Sequence, residues 1–148
     1  MRVQECMCKN VICAKPEDTV ANVAKLMGEH HVGSIPVCGD NGKIVGMVTD
    51  RDIVLRSIAC DKDAKQTPIS DIMTTKVIRT SPDTDTTAVA QIMSDNQIRR
   101  VPVVVDENIV GMITLGNLAQ FRSVSNECLC NTVENVAHTR GKDVKNAE

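Results

Sequence analysis

The sequence predicts an α/β (α+β) protein built from two copies of one β-α-β-β-α unit, packed as a pseudo-twofold pair. Three observations predict it. First, the chain matches itself at an offset of 66 residues: Met7 falls on Met73, Val11-Ile12 on Val77-Ile78, Pro16 on Pro82, Ala24 on Ala90, Met27 on Met93 and Pro36-Val37 on Pro102-Val103. With one residue dropped near Gly42, Ile44-Val45-Gly46-Met47-Val48-Thr49 then matches Ile109-Val110-Gly111-Met112-Ile113-Thr114. Second, each copy alternates short apolar runs with a helical pattern. Third, the core has to be aliphatic, because Trp and Tyr are absent and Phe121 is the single Phe, while 42% of the 148 residues are hydrophobic and 24% charged. That balance belongs to folded chains, and each copy is too short to bury a two-faced sheet alone.

Element by element, residues 11–14 carry a short strand signal, followed by Pro16 and a helix start at Asp18-Thr19. The first helix is expected over 20–30, with Val20, Val23, Ala24 and Met27 on one side. Residues 35–38 read as a strand, Asp40-Asn41-Gly42 as a hairpin turn and 43–48 as the returning strand. A second helix starts at Thr49-Asp50 and runs to about Ala59. The second copy repeats this as a strand over 77–80, a helix over 86–95, a strand over 101–105, a turn at Asp106-Glu107-Asn108, a strand over 109–113 and a helix from Thr114. Cys60 to Thr67 with Pro68 reads as a linker. These elements divide the chain into repeats at 1–62 and 63–124, with 125–148 as a terminal helix and tail. That helix is expected from Ser125 to about His138, with Leu129, Val133, Val136 and Ala137 on its apolar side and fraying from Gly141.

Composition narrows the function. The net charge is -2 and the pI about 5.9, and no basic stripe or aromatic platform suits nucleic acid. No apolar run approaches a membrane span or a signal peptide. The expectation is a soluble, cytoplasmic protein with no nucleic-acid or membrane partner, whose seven cysteines are free thiols.

The tandem unit ending in Gly-x-x-Thr-x-x-Asp resembles the CBS domain, and the chain over residues 3–122 resembles a CBS pair, or Bateman module. The first copy carries the resemblance in Val32-Gly33-Ser34-Ile35-Pro36-Val37 and Gly46-Met47-Val48-Thr49-Asp50-Arg51-Asp52-Ile53. The second carries it in Arg99-Arg100-Val101-Pro102-Val103 and Gly111-Met112-Ile113-Thr114, then departs, with Leu115-Gly116-Asn117 where the first has Asp-Arg-Asp. The resemblance implies a regulatory sensor of adenosine ligands. AMP, ADP or ATP would bind in the cleft between the repeats, NAD or S-adenosylmethionine being less favoured, and no catalytic cofactor is needed. It also implies a homodimer through helical faces and output to a separate effector protein.

The residues themselves carry two readings each. Gly46 and Gly111 interrupt β-branched strands, which marks either a bulge or space for a ligand. Thr49 suits a helix cap, and Asp52 one turn on suits either the positive helix end or the vicinal hydroxyls of a ribose; the resemblance implies the latter. Asn117 offers a carbonyl oxygen without the charge. Arg99 and Arg100, with Arg51, can reach phosphates by the same resemblance, since guanidinium forks suit them, or can be surface charges. Gly33 and Ser34 hold the matching place in the first copy, offering room and a hydroxyl. Thr80 and Thr114 complete the second copy's set. Ile12 and Ile78 can flank an adenine or sit in an ordinary core.

Cys6-x-Cys8 and Cys128-x-Cys130, with His30, His31 or His138, raise an alternative thiol or metal sensor. The repeat opposes it, since Cys6 aligns with Ile72, a core position. A further alternative is a ligand-free dimerisation module. No nucleophile–histidine–acid set, Walker loop or paired-histidine motif points to an enzyme.

Overall fold

The computed structural model describes residues 1–146, and side chains in the last helix as far as Ala137. The chain forms two compact units. The first comprises Ile12–Val77 with Asp106–Ile109, and the second Met1–Val11, Ile78–Val105 and the chain from Val110 onward.

In the first unit α1 spans Val20–His30, the range the periodicity predicts, and buries Val20, Val23 and Met27. Ala24, expected on that side, is exposed. Thr19 caps α1 by accepting from Asn22 N–H (3.2 Å), and His31 ends it in the left-handed region at φ 52°. β1 (Ser34–Cys38) and β2 (Ile44–Thr49) form an antiparallel hairpin whose register shifts between Val37 and Cys38. α2 (Asp50–Ile53) continues as a π-turn over Val54–Ile58, ending beside the predicted limit at Ala59. Ala14, Val20, Val23, Ile35, Val37, Val48, Ile69 and Ile72 form its aliphatic core.

The second unit holds α3 (Thr86–Asn96), β3 (Arg100–Val105), β4 (Asn108–Thr114) from Val110 on, and α4 (Leu115–Gln120). The β3–β4 hairpin, whose turn falls in the first unit, is tighter. Asp106 and Glu107 take φ of 51° and 66°, the left-handed pair of a two-residue turn, which accounts for the residue dropped from the repeat near Gly42. Val3, Cys6, Val89, Met93, Val101, Val103, Ile113 and Leu118 make the core.

The expected first strand of each repeat is reduced to a single parallel bridge, Ala14 to Val37 and Thr80 to Val103. Proline is the physical reason. Ala14 N–H donates to Pro36 O (2.9 Å), and Cys38 N–H donates to Ala14 O (2.9 Å). The next rung back would need an N–H from Pro36, which has none to give to Ile12 O. Thr80, bonded in the same way to Pro102 and Val104, repeats the pattern, so Pro102 denies Ile78 the same rung.

Repeats and compact units do not coincide, because the segment leading into each repeat belongs to the other unit. Val3 N–H donates to Thr84 O and Gln4 N–H to Pro82 O; 66 residues on, Ile69 N–H donates to Asp18 O and Ser70 N–H to Pro16 O. Cys8 bridges Met112 at the edge of β4, and Thr74 bridges Met47 at the edge of β2. This explains the glycines. A Cβ on Gly46 would lie 2.6 Å from Met73 Sδ and 3.1 Å from Thr74 O, and one on Gly111 2.5 Å from Met7 Sδ and 3.0 Å from Cys8 O. The room they leave is filled by the chain's own edge segment rather than by a ligand. The linker is likewise structural, since Val20 N–H and Ala21 N–H of α1 donate to Thr67 O and Ala64 O (2.9 Å each).

α5 runs over Asn126–Asn146, beyond the predicted end near His138 and through Gly141, where fraying was expected; the last two residues of the expected tail lie outside the described residues. It packs on α3 through Thr132 and Val136, with Cys128 and Leu129 half-buried. Val133 and Ala137, placed on the apolar side by the sequence, are exposed. Thr132 takes a core position because its hydroxyl donates to Cys128 O (2.8 Å), satisfying its polar atom within the helix. Among the described residues no helix is long and apolar enough to cross a membrane.

Candidate functional site

The predicted site residues fall into two sets, one in each unit. Ile12, Gly33, Ser34, Thr49, Arg51 and Asp52 belong to the first unit, and Ile78, Thr80, Arg99, Arg100, Thr114 and Asn117 to the second.

In the first unit Thr49 is the last residue of β2 and the N-cap of α2. Asp52 N–H donates to Thr49 Oγ1 (3.1 Å), and Thr49 N–H donates to Asp52 Oδ2 (3.0 Å). This reciprocal capping box satisfies two main-chain donors at the helix start. The other carboxylate oxygen, Oδ1, lies 3.8 Å from the guanidinium of Arg56, one turn along. Opposite Thr49 in the hairpin register stands Ser34. Its hydroxyl is buried and, among the described residues, has no hydrogen-bond partner. Gly33 O accepts from Asp50 N–H (3.0 Å), and a Cβ on Gly33 would lie 3.2 Å from Asp50 Oδ2, so glycine here makes room for a carboxylate of the same chain. Arg51 is exposed beside Asp50, Val54 and Leu55, which line a shallow hollow of about 340 Å³.

The second unit repeats the cap without the charge. Asn117 N–H donates to Thr114 Oγ1 and Thr114 N–H to Asn117 Oδ1, both at 3.0 Å. Leu115 N–H donates to Arg99 O (2.9 Å), as Asp50 does to Gly33. Arg99 and Arg100 are exposed where β3 begins. Thr80 is 7% exposed, at its bridge to β3. Ile12 and Ile78 are half-buried, and among the described residues their main-chain N–H and C=O groups make no hydrogen bond; the missing proline donors account for the free carbonyls.

Arg56 was not singled out by sequence. Besides facing Asp52, it donates from Nη1 to Ile72 O (3.0 Å) and to Thr74 Oγ1 (3.2 Å). The available signal was the i, i+4 spacing of an acid and a base, together with the loss of both charges in the second copy, where Asn117 and Phe121 stand.

The cysteines are all free. Cys6 is buried, and burial pushes its thiol pKa up. Cys13 is pushed up to about 12, first by desolvation and then by the neighbouring thiol of Cys38. Among the described residues no three Cys, His, Asp or Glu side chains gather to hold a metal; the side chain of His138 lies outside them. A polar groove of about 450 Å³ between α3 and α5, lined in part by Gln91, Glu127, Asn131 and Glu134, contains none of the predicted residues.

Two repeats of this hairpin-and-capped-helix pattern, with Gly-x-x-Thr at the end of each returning strand, define a tandem module of the CBS type. The CBS domain family model matches twice, over residues 3–58 and 69–123, and the chain belongs to that family. It is 39% identical over 136 residues to the CBS domain-containing protein YhcV of Bacillus subtilis, covering 92% of this chain and 95% of the relative. Among solved structures, the conserved CBS domain protein TA0289 of unknown function from Thermoplasma acidophilum superposes with a TM-score of 0.81 at 30% identity, covering 91% of this chain and 75% of that one. The CBS domain pair of protein MJ0100, solved in complex with methylthioadenosine and S-adenosyl-L-methionine, matches with a TM-score of 0.75 at 29% identity, covering 82% and 95%.

Proposed function

We propose that this protein is a regulatory, non-catalytic module that binds an adenine nucleotide (AMP, ADP or ATP) and passes the signal on by a change of conformation or assembly. The observation that carries it is the buried hydroxyl of Ser34, without a partner and opposite the Thr49–Asp52 cap. Such an orphan costs about 1–3 kcal/mol unless a ligand completes it. Asp52 keeps Oδ1 outside the capping box and can accept from ribose hydroxyls. The free N–H and C=O of Ile12 and of Ile78 offer the donor–acceptor pair an adenine edge needs, with aliphatic side chains to cover its faces. Arg100, with Arg99 and Arg51, supplies phosphate charge. The adenosine ligands of MJ0100 support the ligand class.

A homodimer is part of the proposal. Val54, Leu55 and Ile58 are 50%, 47% and 64% exposed on one helical turn, whereas their counterparts in the second copy are Ala119, Gln120 and Ser123. A second copy of the chain, packed on this face, would cover them. We assign the module to the cytoplasm, where its thiols stay reduced, with a separate effector protein as listener.

A thermal-shift titration with AMP, ADP, ATP, NAD and S-adenosylmethionine tests the reading, because binding to the folded state raises the midpoint by mass action. Saturable stabilisation by adenine nucleotides is expected. No stabilisation at millimolar concentration overturns it.

A further inference from the structure

We propose that Arg56 is a positioning residue for Asp52 and sets how strongly the first copy responds to ligand hydroxyls. This rests on the reading of Asp52 as a ribose acceptor. Arg56 sits one turn after Asp52, its Nη2 3.8 Å from Oδ1, the oxygen the capping box leaves over. Its other terminal nitrogen is anchored by Ile72 O at 3.0 Å and Thr74 Oγ1 at 3.2 Å. Those two acceptors lie on the edge segment that closes β2 through the Met47–Thr74 bridge.

The guanidinium is therefore held at two points that are not the carboxylate, so its position is fixed before any ligand arrives. One consequence follows. A fixed guanidinium 3.8 Å from Oδ1 holds that outer oxygen oriented, and bonds to an oriented carboxylate are stronger than those to neutral acceptors. The second copy has no such device, since Asn117 and Phe121 replace the acid and the base. Arginine suits the role better than lysine because one planar fork can serve a carbonyl, a hydroxyl and a carboxylate together.

The test compares AMP with 2′,3′-dideoxy-AMP by calorimetric titration of the full chain in wild type, R56Q, R56K and T74V. R56Q should weaken AMP about tenfold yet change dideoxy-AMP less than twofold; R56K should recover part of the loss; T74V, which removes an anchor without touching Asp52, should weaken AMP a few-fold. Equal losses for both nucleotides in folded R56Q would reduce Arg56 to a structural clamp and overturn the inference. AMP binding unchanged in R56Q and T74V overturns it too, while leaving the nucleotide reading intact. Failure of wild type to bind AMP, ADP and ATP alike overturns that reading and this inference with it.

Discussion

The two copies share their scaffold and differ in their charges. Each buries an aliphatic hairpin against a helix, each is closed at the edge by the segment that precedes the other repeat, and each caps its second helix with a threonine and a residue three positions on. At that cap the first copy has Asp52 with Arg56, and the second has Asn117 with Phe121. At the start of the hairpin the first has Gly33 and the orphaned Ser34, and the second has Arg99 and Arg100. The backbone solution was kept while the chemistry diverged, and the proposed function gives the two copies unequal roles.

The largest expected effect probes the shared scaffold. Ile69 lies in what the sequence reads as the start of a new repeat, yet it is fully buried in the first unit's core. Ile69→Ala should cost about 2–5 kcal/mol of stability, measured by chemical denaturation; a loss typical of a surface linker would contradict the exchange of segments. Next come Gly46→Ala and Gly111→Ala. Each new methyl meets a methionine sulfur and a main-chain oxygen, so each should cost about 1–3 kcal/mol through overpacking, and by similar amounts. If one is silent, the two edges are not equivalent.

The smallest effect sharpens a difference at the first helices. Thr19 caps α1, whereas its counterpart Asp85 caps α3. The Asp85 carboxyl is held below its ordinary value, first by the Thr87 N–H and further by the Met1 ammonium. A lowered folded pKa means stabilisation that is present above the unfolded value and lost as pH falls through the folded one. The thermal midpoint of wild type should therefore drop relative to Asp85→Thr at acid pH and run parallel to it near neutrality. Parallel curves throughout would show that the cap carries no charge-dependent stabilisation.

Much of this was legible in the chain. Period and turn residues gave α1 to the residue, and the repeat located both Thr-led caps. The first strands were not legible as single bridges, because Val11–Ala14 satisfies a β pattern locally while the proline that denies its ladder lies on another strand. The glycines were misread for a related reason: Met73 and Met7, which fill the space beside them, are distant in sequence from Gly46 and Gly111 respectively. The terminal helix hid its buried face behind Thr132, whose polar atom is satisfied inside the helix. Arg56 escaped notice because an i, i+4 acid–base pair is common on solvated helices, and only its contacts with Ile72 and Thr74 set it apart.

The central claim is that the charged copy holds the ribose. Calorimetric titration of AMP against wild type, Asp52→Ala and Asn117→Ala tests it directly. Asp52→Ala should weaken binding tenfold or more, and Asn117→Ala by no more than a few-fold. Equal losses in the two variants, or AMP binding indifferent to Asp52, would contradict the account.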